Sequence, residues 1–414
     1  MKRILIISYY WPPAGGVVVR RVMALAKYLP LHGFEPIVLC AGGDTPWLYL
    51  DDTVEATDVE VIRIDAGDLN ELFSPEKTPI NVRLRTAFRA LFRTDYMANW
   101  ADRVAPVAEK IIRERGIDIV ITTSPPFSSL SILGGLKQEF HDITAVADLR
   151  DLFYSLRQDN LVQFVRRAMA LPRIKRDLRK ADLIVGASPG FEKELGKLGT
   201  PVYTVTNGFD CQIASDEDYR KGEYFRIVHT GSFPSTGQTP EFVLVAFDMA
   251  CQMNSRFAEK ARLIFAGVEP KLIHRATPKF AERPQNTQLP GILSHDEALV
   301  LQRSADINLL ILTIRKELGG QHVIPAKFFE YIAARRPVLA TCNPQSEVAK
   351  MVRDLNIGYV SSNAPDQIVK TLLALFNKWE DGTLSGGVNR EIVERYSFSK
   401  RIAEYAAILE ECAK

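Results

Sequence analysis

The chain has 414 residues, 46% hydrophobic and 25% charged, which is enough apolar material for more than one core and excludes collagenous, low-complexity and disordered classes. With 52 Lys and Arg against 50 Asp and Glu the formal charge is only +2, so no nucleic-acid partner is expected. Five scattered cysteines without a CxxC spacing, and six histidines none of which has metal-ligand spacing to another, give neither a disulfide framework nor a metal site.

The first apolar run, from Ile4 to Ile7, is far too short for the core of a signal peptide and reads as a buried strand. No stretch approaches the roughly 20 apolar residues that span a bilayer, so a cytoplasmic protein is expected, with peripheral docking as the one route to a membrane. From there β-branched runs alternate with helical periods, the signature of parallel sheets wrapped by helices. Strands are predicted at 3–8, 36–40, 59–64, 117–122, 144–148, 182–187 and 202–207, forming one doubly wound α/β domain over 1–208. Residues 209–223 are polar and without period, as an inter-domain linker would be. The pattern restarts with strands at 225–230, 262–266, 306–312 and 337–340, giving a second Rossmann-like domain over 224–395. An amphipathic helix over 396–414 ends the chain. Two such domains are expected to face a central cleft at the carboxyl ends of their strands.

Five places carry possible chemistry. Trp11-Pro-Pro-Ala-Gly15-Gly16 follows the first strand and opens a helix bearing Arg20, so backbone and helix amides face a ligand there. It is not GxGxxG, and a stiffened strand-to-helix turn explains it equally. Thr123-Ser124-Pro-Pro opens another helix, although such a loop also serves plain helix initiation. In Asp148-Leu-Arg150-Asp151 two carboxylates flank a guanidinium, which suits hydroxyl orientation or acid–base work, or a self-contained ion-pair turn. Thr230-Gly231-Ser232 is a turn suited to a diphosphate. The sharpest is Ile324-Pro325-Ala-Lys327-Phe-Phe-Glu330: Pro325 opens a helix, which puts a lysine against the macrodipole in the first turn and a carboxylate three residues on. A bound phosphate explains the lysine, and ribose hydroxyls suit Glu330; the plain alternative is an exposed ion pair between the two. Separately, Arg83, Arg85, Arg89 and Arg93 interleave with Leu84, Phe88, Leu91 and Phe92 as a basic amphipathic stretch that suits an anionic membrane or simply a solvated helix.

In this order on a two-domain chain, these segments resemble the family 4 retaining glycosyltransferases of the GT-B fold, in particular the bacterial cell-surface polysaccharide type. The resemblance covers nearly the whole chain and is carried by Pro-Pro-Ala-Gly-Gly, Asp-Leu-Arg-Asp, Gly-Ile-Leu-Ser-His-Asp-Glu-Ala-Leu at 291–299, and Pro-Ala-Lys-Phe-Phe-Glu-Tyr followed by Arg-Pro-Val. It implies transfer of a sugar from a nucleotide-diphosphate sugar to a hydroxyl of a glycan or lipid-linked acceptor, with no metal and no cofactor beyond that co-substrate. The N-terminal domain would hold the acceptor and the C-terminal domain the donor, with the last helix packing back on the N-terminal domain.

By the same resemblance, Glu330 matches the second acid of the EX7E motif and holds the ribose. Gly231, Ser232, His322 and Ile324 belong to the donor site, which Gly15 and Gly16 would approach from the N-terminal side. Lys327 lies at the leaving diphosphate. Asp148 and Asp151 join it as catalytic residues, and Trp11, Arg20, Ser124 and Arg150 line the sugar or acceptor pocket. Two departures stand out: His322 replaces the first acid of EX7E, and the basic pair many members carry after the first strand of the second domain is absent from 231–238. A sugar-nucleotide epimerase of the same fold and a binding partner without turnover are the alternatives.

Overall fold

The structure is a computed structural model that describes residues 1–42, 58–66, 94–153, 161–233, 240–268, 286–312, 320–384 and 388–412. The basic stretch at 83–93 lies outside the described residues. The chain divides into two compact units, Met1–Asn207 with Phe398–Lys414, and Gly208–Ser397.

The first unit runs β1 (Lys2–Ser8), α1 (Val17–Tyr28), β2 (Phe34–Gly42), β3 (Glu60–Asp65), α2 (Ala98–Arg115), β4 (Ile119–Ser124), α3 (Ser129–Glu139), β5 (Thr144–Leu149), α4 (Leu161–Leu178), β6 (Leu183–Gly186), α5 (Gly190–Leu195) and β7 (Val202–Thr204). Its sheet has the order β3-β2-β1-β4-β5-β6-β7, and every pair is parallel. The strands need both faces covered, and the unbroken apolar run Ile4–Ile7 in β1 is accordingly buried throughout. Strand order reverses between β1 and β4, the switch point at whose carboxyl ends such sheets bind ligands.

The second unit runs β8 (Phe225–Thr230), α6 (Glu241–Met253), α7 (Ser255–Lys260), β9 (Ala261–Ala266), β10 (Thr287–Gly291), α8 (His295–Ser304), β11 (Ile307–Ile311), α9 (Ala326–Ala333), β12 (Val338–Thr341), α10 (Glu347–Asp354), β13 (Gly358–Ser361), α11 (Pro365–Glu380) and α12 (Arg390–Glu394). Its parallel order β10-β9-β8-β11-β12-β13 repeats the same plan, with the switch between β8 and β11. The sequence did not predict β10 and β13. Both are edge strands, and β10 carries Pro290, which an edge tolerates because one side of it has no ladder to supply.

The last helix, α13 (Phe398–Cys412), buries Phe398, Ile402, Tyr405 and Leu409 with Ile4, Leu25 and Val146 in one cluster of the first unit. Each such side chain contributes about 1.5–3 kcal/mol of burial. The stretch read as a linker is packed onto the second unit. Phe209 N–H donates to the Tyr396 carbonyl at 3.1 Å and Ala214 N–H to that of Ala333 at 2.9 Å. The Tyr219 hydroxyl donates to Asp306, and the Arg336 guanidinium lies 3.4 Å over the Tyr219 ring.

Candidate functional site

In the first unit, three of the predicted segments meet at the carboxyl ends of the adjacent strands β1, β4 and β5. Arg150 joins them: its guanidinium donates to the carbonyls of Val18 and Pro125 and lies 5.5 Å over the Tyr10 ring, while its N–H donates to the Ser124 carbonyl at 2.9 Å. Burial lowers its affinity for the proton, offset in part by Asp151. Asp151 is half-buried, and desolvation raises its carboxyl above the usual range against the pull of Arg150. Gly16 sits at φ +77° at the start of α1 with open space where a side chain would be, and Gly15 is buried beside it. Arg20 is half-buried on α1.

Three expectations for this unit change. Asp148 is fully buried: both its oxygens accept from Arg21 Nε at 3.0 Å, and Oδ1 also accepts from Nη2 at 2.7 Å. The same guanidinium donates to the carbonyls of Val205 at 2.8 Å and Thr206 at 3.2 Å and lies under the Tyr405 ring of α13. A carboxylate enclosed in this way joins α1, β5 and the terminal helix and offers no oxygen to a sugar. Trp11 is 5% exposed and packs in the apolar cluster with Ile4 and Leu25, so it is a core residue rather than a pocket wall. Ser124 is fully buried, its hydroxyl donating to the Pro126 carbonyl at 3.1 Å.

In the second unit, the predicted donor residues gather at the carboxyl end of β8. Gly231 adopts φ +97°, a backbone conformation that favours glycine, and a side chain there would come within 2.9 Å of Lys327 Nζ and displace the ammonium. Two further positive-φ glycines flank it. A side chain at Gly267 would come within 3.1 Å of the Gly231 backbone, and its N–H donates to the Gly291 carbonyl at 2.6 Å, which makes a side-chain-free rim over β8, β9 and β10. Ser232 is exposed on this rim.

Pro325, extended at φ −69° and ψ 146°, starts α9 and aims Lys327 over that rim. Its Nζ reaches His229 Nε2 at 3.4 Å. The opposite ring nitrogen, Nδ1, faces the Leu309 carbonyl at 3.0 Å and so carries the hydrogen, leaving Nε2 to accept from the ammonium. His229 is buried and stacks on Phe233 at 4.6 Å; burial and then the Lys327 charge hold its pKa well below the ordinary value, so the imidazole is neutral. Burial likewise lowers the Lys327 pKa to about 8, against the attraction of Glu330.

Glu330 is half-buried, and its Oε2 accepts from Gln302 Nε2 at 3.2 Å. Gln302 also donates to Thr230 Oγ1 at 2.9 Å, and its buried Oε1 has no hydrogen-bond partner among the described residues. It is delivered by α8, whose start is fixed by reciprocal bonds between Ser294 and Glu297. His322 is 7% exposed, with Nδ1 3.7 Å from the Glu347 carboxylate and Nε2 3.0 Å from the Gln321 amide. Ile324 packs into the core with Phe328 and Phe329. Arg303, in the last turn of α8, donates to the Gln212 carbonyl at 2.9 Å.

The sequence reading missed Arg21, His229 and Gln302. Only the phrase at 291–299, which sets the register of α8, hinted at the last. Among the described residues no group of three His, Cys, Asp or Glu side chains is placed to hold a metal, and no helix is long and apolar enough to cross a membrane.

Residues 14–213 match the family model described as Glycosyltransferase Family 4. No curated protein matches the sequence. Among solved structures, sucrose-phosphate synthase from Thermosynechococcus elongatus superimposes with a TM-score of 0.72 at 15% identity, covering 99% of this chain and 99% of that one. A structure described as trehalose-6-phosphate from E. coli bound with UDP-2-fluoro glucose gives 0.66 at 10% identity over 100% and 99%. A putative UDP-N-acetylglucosamine 2-epimerase from Listeria monocytogenes gives 0.55 at 12% identity over 99% and 96%. At these identities the likeness shows the fold, which is GT-B over the whole chain. The chain thus has the GT-B fold, and its residues 14–213, just under half of it, are similar to the family 4 glycosyltransferases.

Proposed function

We propose that the chain is a retaining, metal-independent glycosyltransferase that moves a sugar from a nucleotide-diphosphate sugar to a hydroxyl of a glycan or lipid-linked acceptor in cell-surface glycoconjugate synthesis, working at the inner face of the cell membrane. The observation that carries this reading is the Lys327 ammonium, poised over the glycine rim against a neutral imidazole. A half-buried cation beside a neutral partner costs desolvation energy that a bound diphosphate offsets. In the reaction the bond from the anomeric carbon to the diphosphate breaks, one to the acceptor oxygen forms, and the acceptor proton passes to a diphosphate oxygen. Lys327 stabilises the charge that develops on the leaving group, which is where a fixed cation lowers the barrier. Glu330 takes ribose hydroxyls, with Gln302 fixing the carboxylate. On the acceptor side Asp151 replaces Asp148 as the carboxylate available to orient a hydroxyl.

The neighbour bound to UDP-2-fluoro glucose supports a UDP-sugar as the first donor to try. The test is release of free nucleotide diphosphate from UDP-, GDP-, ADP- and dTDP-sugars in the presence of membrane glycolipid and polysaccharide extracts. Release coupled to acceptor glycosylation is expected. Interconversion of the sugar without release would assign an epimerase, and binding without either would assign a partner lacking turnover.

A further inference from the structure

Residues 161–180, spanning α4, hold seven Lys or Arg against one acidic residue, a local charge of +6 in a chain whose total is +2. Ala170, Ile174 and Leu178 are buried and fix one side of the helix to the first unit. Along the other side runs an open cavity of about 620 Å³, lined by Phe164, Leu171 and Pro172 together with Arg167, Lys175 and Arg179. The lining positions recur every three to four residues, so they form one stripe about 20 Å long at 1.5 Å per residue. Phe164 is 56% and Val165 41% exposed at its start, while Lys175 and Arg179 stand at its end. Not all of the charge is available: Arg166 stacks on the Tyr96 ring at 4.0 Å and Arg176 pairs with Asp177 at 3.0 Å.

We propose that this stripe of α4 docks the protein on an anionic phospholipid surface. A small anion would account for the cations but not for an exposed phenylalanine in line with them, whereas a leaflet meets both, with the ring at the acyl boundary and the cations among headgroup phosphates. The inference rests on the lipid-facing part of the proposed function. It supplies that reading with a surface, in residues separate from the donor site.

The test is sedimentation of the full chain with phosphatidylcholine vesicles with and without 30 mol% phosphatidylglycerol, in the absence of any nucleotide sugar. Wild type binds the anionic vesicles alone, and added salt weakens the binding. Lys175→Glu with Arg179→Glu lowers the partition coefficient by at least about tenfold, and Phe164→Ser lowers it severalfold. Lys350→Glu with Lys370→Glu, the same change of net charge on exposed residues of the second unit, leaves it within about twofold. The proposal is overturned by wild type that ignores anionic vesicles, by equal losses in the two double variants, or by retention of RNA in place of vesicles. Nucleotide-sugar binding measured on the same preparations separates this outcome from failure of the donor site.

Discussion

Each unit holds a cation near the switch point of its sheet, Arg21 buried and Lys327 half-buried, and the two cations have opposite surroundings. Arg21 in the first unit is bidentate with Asp148, capped by two carbonyls and covered by Tyr405, so every donor direction that matters is met from within. Lys327 in the second faces a neutral imidazole and a bare glycine turn, and the nearby Glu330 is engaged by Gln302. Burial acts on both. For Arg21 the carboxylate outweighs it, and the guanidinium holds its proton more firmly than usual; for Lys327 burial prevails and the pKa falls to about 8. A buried cation with its own counter-ion is part of the scaffold. One whose burial outweighs the pull of the nearby carboxylate, as for Lys327 beside Glu330, is positioned for a further anion.

Breaking each cation in turn sharpens the contrast. The largest effect is expected for Asp148→Ala, which leaves Arg21 buried without its counter-ion and should cost about 3–5 kcal/mol in urea unfolding. Donor affinity of the fraction still folded should be unchanged, and a stable variant that had lost only donor binding would move Asp148 back into the site. Lys327→Met should do the reverse, leaving stability near or above that of wild type while turnover falls about a hundredfold.

Gly231→Ala sits between them. The left-handed backbone should cost about 1–3 kcal/mol, and the displaced ammonium should weaken donor binding.

The smallest effect is the dependence on pH. A diphosphate favours charged Lys327, so binding above pH 8 takes up a proton and affinity should fall as pH rises past that value. Calorimetry in two buffers of different ionisation enthalpy reads this uptake directly. Stability should run the other way. With Lys327 at about 8 in the folded chain and at its ordinary 10.5 when unfolded, the unfolded chain binds more protons between those values, and stability gains a contribution that grows through the window. Both slopes should vanish in Lys327→Met.

Periodicity was sufficient for the alternating fold, because parallel strands covered on both faces leave unbroken apolar runs such as Ile4–Ile7. It was not sufficient for β10 and β13, whose edge positions let Pro290 and Gly358 stand where a central strand would exclude or weaken them. The helix start at Pro325, with Lys327 and Glu330 on one side of it, could be read locally because helix geometry fixes residues three apart. What surrounds them could not. His229 lies 98 residues from Lys327, Gln302 lies 28 from Glu330, and Arg21 lies 127 from Asp148; such pairs arise when strands and helices stack, and no local spacing encodes them. The Asp-Leu-Arg-Asp segment shows the hazard. Its two carboxylates look equivalent in the sequence, yet one is locked to Arg21 and the other stays half-exposed at the end of β5.

The most direct test of the central claim, that the second unit holds a nucleotide sugar through Lys327 and Glu330, is a thermal-shift titration of wild type and Glu330→Ala with UDP-, GDP-, ADP- and dTDP-sugars. A ligand that binds only the folded chain raises its midpoint by mass action. The account predicts a selective rise with one nucleotide class in wild type, and about tenfold more of the same ligand to reach that rise in the variant. Equal shifts in the two proteins, or none with any of the four classes, would contradict it.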